Sequence, residues 1–118
     1  MTATLPIEAD DKQVSIDELL HLRAPSVYLV KVDGESMQGA GIYTGDLLVV
    51  DRLAEARSGH IIIAAVNGEA ICKRMVIRDR QVVLMSENPK YPSRYILEGD
   101  RFEVWGVVTH SIRSHVIG

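Results

Sequence analysis

Two residues of this chain, Ser36 and Lys73, are of the types that could work together as a hydroxyl nucleophile and an amine base. Ser36 lies in Gly34-Glu35-Ser36-Met37, after an apolar run and before a turn containing Gly39, Ala40 and Gly41. Such a place lets a hydroxyl stand clear of a sheet, although serine after glycine is also an ordinary turn residue. A serine hydroxyl is a weak nucleophile until a base takes its proton, so the question is which base is available. His21 falls on a short helix, His60 opens a strand, and His110 and His115 fall in the last strand and the tail. None of the four belongs to a recognisable triad motif, and isolated histidines are mostly surface or satisfied core residues. Among the lysines, Lys12 lies in an N-terminal arm, Lys90 in a proline-flanked loop, and Lys31 ends a strand near Asp33, where a charged amine is stable. Lys73 sits mid-strand, with Ile71, Met75 and Ile77 on its own face by the two-residue period. Burial on such a face disfavours the ammonium and can lower a lysine pKa by roughly 3–5 units. A neutral amine near pH 7 can then accept the serine proton. The alternative is a strand-edge lysine whose stem covers apolar surface while its head reaches water. Arg74 places one charge on the opposite face as well, so the residue pattern leaves both readings open.

The elements that must carry these residues are mostly strands. Residues 1–13 hold Pro6 and the acids Glu8, Asp10 and Asp11 without a usable period, and read as a mobile arm. Ser15-Ile16-Asp17-Glu18 is a capping box that opens a short helix through about Leu22, with Pro25 ending it. Strands are expected over Val27–Val32, Asp46–Asp51, His60–Val66, Ala70–Ile77, Val82–Met85, Tyr95–Leu97 and Phe102–Ile112. The punctuation between them is of the turn kind, and Asn67-Gly68 is the strongest hairpin signal, because both central residues of a type I′ turn need positive φ. The expected fold is mainly β: one compact domain over residues 14–118, built from a curled, largely antiparallel sheet with a short N-terminal helix.

Composition narrows the function. The 118 residues are 47% hydrophobic and 25% charged, which suits one globular domain. The longest apolar stretch, Ile61–Val66, is too short to cross a bilayer, and no signal-peptide pattern opens the chain, so a cytoplasmic protein without membrane attachment is expected. A single cysteine, Cys72, excludes an internal disulfide and a cysteine-built structural zinc site, and no metal or cofactor is expected. Net charge is -3, with acids and bases interleaved, whereas a protein that grips DNA phosphates concentrates Lys and Arg on one surface. Any link to DNA is therefore expected to run through a partner protein.

Several motifs in order carry a resemblance. Gly34–Met37, Gly45-Asp46-Leu47-Leu48-Val49-Val50-Asp51, Ser58–Ala64, Asn67–Arg74, the Leu84–Pro92 segment with its Asn, Tyr and Pro, and Val104-Trp105-Gly106-Val107-Val108 resemble the peptidase domain of the LexA/UmuD family over about residues 14–112. The resemblance implies a LexA/signal-peptidase-like β fold and a Ser-Lys dyad, with Ser36 as nucleophile and Lys73, 37 positions on, as base. The expected oxyanion donors are the amides of Ser36 and Met37. Departures are modest: Glu35 stands where Asp is usual, His60 where Asp follows the glycine, and Cys72 where a β-branched residue precedes the lysine. Cys72 is expected to point away from the Lys73 face as a small apolar residue.

Family members are cut within an N-terminal arm at Cys-Gly or Ala-Gly, and the one Ala-Gly here, Ala40-Gly41, lies in the loop after Ser36 and is not a cut site. Counting back from Ser36, residue 1 falls about where a processed UmuD product begins. The resemblance therefore implies a processed UmuD-like subunit that forms a homodimer and joins a UmuC-like, Y-family polymerase in error-prone translesion synthesis during the SOS response. It also implies a RecA–DNA filament as partner, with no direct nucleic-acid contact by this chain. The competing expectation is the C-terminal peptidase and dimerisation domain of a LexA-type repressor. Little activity on general substrates is expected without an attached arm.

Overall fold

The computed structural model describes residues 15–116, so the expected arm over residues 1–13 lies outside the described residues. Helix α1 (Ile16–Leu20) is capped by Ser15, whose Oγ accepts from the Glu18 amide at 3.4 Å. The helix stops two residues before the expected end. His21 turns left-handed (φ 55°), and the Leu22 amide returns to the Asp17 carbonyl at 2.9 Å. That cap, and not Pro25, ends the helix.

Seven strands follow: β1 (Val27–Lys31), β2 (Leu47–Asp51), β3 (Ile61–Val66), β4 (Glu69–Arg78), β5 (Gln81–Met85), β6 (Arg94–Tyr95) and β7 (Phe102–Ile112). They form one antiparallel sheet in the order β1-β2-β7-β3-β4-β5-β6. The mainly β, largely antiparallel fold expected from the sequence is therefore present, with strand ends moved by a residue or two. The Asn67-Gly68 hairpin joins β3 to β4 with φ of 51° and 84°, both positive as a type I′ turn requires.

β7 pairs with β3 along its first half and with β2 along its second, and it is bulged in both pairings. Its register slips opposite Val49/Val50 of β2 and opposite Ile63/Ala64 of β3, and each slip bends the strand and increases its twist. Gly106 sits at the second bend, where an added Cβ would lie 2.5 Å from Val50 Cγ1 and 3.0 Å from the Asp51 carbonyl oxygen. Only a residue without a side chain allows that approach.

Two apolar clusters fill the two faces. Ile62, Ala64, Val66, Met75, Leu84 and Val107 form one, and Met37, Ile42, Leu48, Val50 and Ile63 form the other. β3 supplies alternate residues to both, which is why Ile61–Val66 is an unbroken apolar run. The second cluster matters most for function, because Met37 and Ile42 come from the loop between β1 and β2 and anchor it to the sheet. Burying a side chain of the size of Met37 contributes about 1.5–3 kcal/mol.

Candidate active site

Ser36 sits in the β1–β2 loop, which is closed at its neck. The Val32 amide donates to the Asp46 carbonyl, and the Gly45 amide to the Val32 carbonyl, both at 2.9 Å. Thr44 Oγ1 donates to the Gly34 carbonyl at 2.9 Å and accepts the Gly34 amide at 3.0 Å. Beyond the neck, Met37 is 3% exposed, so the residue after Ser36 is fixed by burial. The chain then makes a short 3-10 turn (Gln38–Ala40) ended by Gly41 at φ 81°. Among the described residues, the amides of Ser36 and Met37 donate to no backbone carbonyl or side chain. They are not consumed by turn bonds, as an oxyanion role would require.

Lys73 lies where β4 loses a neighbour. Pairing with β3 covers Glu69 through Arg74, but pairing with β5 begins only at Arg74↔Met85. β5 ends there, and two residues past its end Glu87 bonds to the loop: its amide donates to the Ser36 carbonyl at 2.8 Å, and its carbonyl accepts the Gly39 amide at 2.6 Å. Ser36 and Lys73 both line the resulting cleft of about 420 Å³, together with Met37, Ile63, Cys72 and Tyr91. Both side chains line the cleft, but no hydrogen bond joins Ser36 Oγ to Lys73 Nζ. Lys73 also borders a second hollow of about 700 Å³, with Ile71, Leu84, Tyr95 and Leu97 on its wall.

The surroundings of the Lys73 amine pull its proton affinity in opposite directions. Burial holds the Lys73 amine below the ordinary lysine pKa, with a weaker opposing influence from the Cys72 thiol. The Tyr91 ring stands with its centroid 5.6 Å from Nζ, and its π face favours the ammonium, so it works against burial. Cys72 is pushed up to about 11 by burial and is a protonated, inert thiol at neutral pH. It packs against the Met37 cluster while Ile71 and Met75 join the other, so the alternation along β4 is as expected, although Cys72 and Lys73 both border the cleft. The apolar face expected around Lys73 is shorter than the two-residue period suggests: Met75 is buried and Ile71 half-buried, but Ile77 is 47% exposed near the strand end.

None of the four histidines borders this cleft. His60 Nδ1 instead accepts the Arg57 amide, and His110 Nδ1 lies 3.0 Å from Thr109 Oγ1. Lys31 does border it, but from an exposed position at the end of β1. Among the described residues, no group of three or more His, Cys, Asp and Glu side chains is arranged to hold a metal, and no helix is long and apolar enough to cross a membrane.

Sequence reasoning missed the residues that hold the two halves together. Glu87 pairs through its side chain with Arg74, beside Lys73, and Arg74 also donates to the Gly59 carbonyl at 2.6 Å. Asn88 Nδ2 donates to the Glu35 carbonyl at 2.9 Å, and the Asn88 carbonyl accepts the Tyr91 amide at 3.0 Å. One short segment after β5 thus grips the serine loop and lays Tyr91 over the lysine. The Asn and Tyr of this segment were visible as a motif, but nothing in their spacing gave those roles.

The sequence pattern described as Peptidase S24-like matches residues 1–109. The chain belongs to the Peptidase S24-like family. Among relatives of this family, the LexA repressor of Bordetella avium (strain 197N) is 37% identical over 113 residues, covering 96% of this chain and 53% of the repressor. The LexA repressor of Ralstonia nicotianae is 40% identical over 110 residues, covering 92% and 50%. Protein MucA of Salmonella typhimurium is 36% identical over 114 residues, covering 95% of this chain and 77% of MucA. The chain therefore spans about half the length of the LexA repressors it matches and about three quarters of MucA.

Proposed function

We propose that this Peptidase S24-like chain is a self-cleaving serine peptidase domain in which Ser36 is the nucleophile and Lys73 the general base. The observation that carries this reading is that both side chains line one cleft, on a loop and a strand tied together through Glu87. In the neutral form, Lys73 Nζ takes the Ser36 proton as Oγ attacks a scissile carbonyl, and the resulting ammonium returns a proton to the leaving amine. The unused amides of Ser36 and Met37 receive the oxyanion of the tetrahedral intermediate. The test is incubation with an uncut relative whose own serine is replaced by alanine. Cleavage within that relative's arm is expected, and it is abolished by Ser36→Ala; cutting that survives Ser36→Ala sinks the assignment.

Within the family we read the domain as a UmuD-like subunit of an error-prone translesion polymerase in the SOS response. It would be homodimeric and bound to a Y-family, UmuC-like partner, with DNA and a RecA filament reached through the assembly. The match to the UmuD-like MucA over 95% of this chain supports it. The matches to LexA repressors at 37–40% identity favour a second reading, the peptidase and dimerisation domain of a repressor. Co-purification with a UmuC-like polymerase from the source cell supports the first, and its absence alongside a DNA-binding half on the same gene product supports the second.

A further inference from the structure

Asp46 is 2% exposed and is the one buried charged side chain among the described residues. Arg113, just past the end of β7, holds it with two bonds of 2.9 Å, Nε to Oδ1 and Nη2 to Oδ2. The same Nη2 donates to the Gly41 carbonyl at 2.7 Å, and the guanidinium stands 4.2 Å from the centroid of Tyr43. Asp46 Oδ2 also accepts the Tyr43 amide at 2.9 Å, and the Asp46 carbonyl accepts the Val32 amide at the loop's neck. These contacts lie along the descending arm of the loop whose ascending arm bears Ser36. Gly41 is tied to Gln38 through its amide, and Ile42 and Ala40 are tied to the Met37 carbonyl, so a guanidinium fixed on Gly41 is two short links from the Ser36–Met37 peptide.

We infer that Arg113 is a positioning residue, whose planar fork locks Asp46 and Gly41 together and so holds the Ser36 hydroxyl and the Ser36–Met37 amides in their reactive geometry. The inference rests on the reading of Ser36 as nucleophile. A merely structural ion pair would need only charge. This one uses a two-point carboxylate bond, a carbonyl bond and a stacked ring at once, a combination that the point charge of lysine does not reproduce. Arg113, from just past β7, thereby acts on the loop that bears the nucleophile through Asp46 and Gly41.

The experiment uses the full chain and four variants: Arg113→Ala, Arg113→Lys, Lys73→Ala and Ser36→Ala. It reads thermal unfolding, kcat and KM for cleavage of the arm of a serine-lacking uncut relative, and the rate at which diisopropyl fluorophosphate labels Ser36. With Arg113→Ala, kcat and labelling are expected to fall on the order of 10–100-fold, because small misplacements of reacting groups have effects of that size, while KM is unchanged. Arg113→Lys is expected to recover the fold but not the rate, and the pH profile keeps its shape because Lys73 is untouched. If Arg113→Ala does not fold, Arg113→Lys decides alone. A folded Arg113 variant with wild-type kcat and labelling, or one changed only in KM, overturns the inference. If wild-type Ser36 is not labelled, the nucleophile assignment fails first and the positioning role falls with it; if Lys73→Ala labels as fast as wild type, only the base assignment fails and the Arg113 variants still decide the positioning role.

Discussion

The Glu87 amide donates to the carbonyl of Ser36 at 2.8 Å, so the residue past β5 is bonded directly to the residue proposed as nucleophile. The Glu87 side chain meanwhile pairs with Arg74, the next residue along β4 from Lys73. One residue therefore bridges the loop that carries the serine and the strand that carries the lysine. The separation of the two proposed catalytic groups is set by that bridge and not by the 37 positions of chain between them.

The bridge depends on close backbone approach at Gly39. A Cβ added there would collide with the Glu87 carbonyl oxygen, an atom that cannot swing aside. Gly39→Ala is expected to break the Gly39–Glu87 bond, lower stability by about 1–3 kcal/mol as overpacking does, and cut arm cleavage by a larger factor than stability explains. Urea unfolding beside single-turnover cleavage checks it; a variant with lowered stability but wild-type cleavage contradicts the bridge.

Lys73 gives a stability prediction with a definite sign. Burial lowers its folded pKa below the unfolded value, so between the two the unfolded chain binds more protons and stability rises with pH. Wherever the amine is still protonated, its partial desolvation disfavours the fold. Lys73→Met, which removes the charge and keeps the stem, is expected to raise the unfolding midpoint at pH 7, with the advantage shrinking as pH approaches 10. A midpoint unchanged or lowered at pH 7 shows that the amine is comfortably hydrated.

Much of this fold could be read because its signals are local. Asn67-Gly68 needs positive φ at both residues and announces a hairpin, and the apolar run Ile61–Val66 announces a strand buried on both faces. The β4–β5 turn was harder, since Asp79 and Arg80 take φ of 50° and 65° without a glycine to mark them. The helix end was misplaced for the same reason, His21 adopting a left-handed conformation usually left to glycine. Within the site, Ser36 and Lys73 stood out by type and setting. Glu87, Asn88, Tyr91 and Arg113 did not, because their roles arise from contacts across 13 to 72 positions of chain that no periodicity encodes.

The apolar residues of β7 near the C-terminus, Val104–Val108, are only partly available to pair two copies. Gly106 and Val107 are buried and Val108 is half-buried, leaving Val104 and Trp105 at 39% and 40% exposure, with Leu53 beside them at 82%. A homodimer is expected from closed twofold packing of these residues. Sedimentation at tens of micromolar, where contacts worth about 7 kcal/mol hold a pair together, is expected to give a dimer. Trp105→Glu is expected to shift it towards monomer without unfolding; a wild-type monomer at that concentration argues against the interface.

The pH dependence of cutting separates the two readings of Lys73. If the neutral amine is the base, the rate of arm cleavage in trans rises with pH as the ammonium loses its proton, and it levels off below the ordinary lysine value of 10.5 because burial lowers the pKa. The rise should be tenfold per pH unit on the limb, since activity follows the neutral fraction. Lys73→Ala removes the base, and Lys73→Arg fails too, because a guanidinium stays protonated throughout this range. Tyr91→Leu removes the π face that favours the ammonium, so its limb is expected to move to lower pH with the plateau rate little changed. An arm supplied in trans lacks the effective concentration of a tethered arm, so slow absolute rates are expected throughout, and only the shape of the profile is diagnostic. A flat profile from pH 7 to 10, or one unchanged in Lys73→Arg, would assign the proton transfer to some other group and leave Lys73 as a strand-edge lysine at the mouth of the cleft.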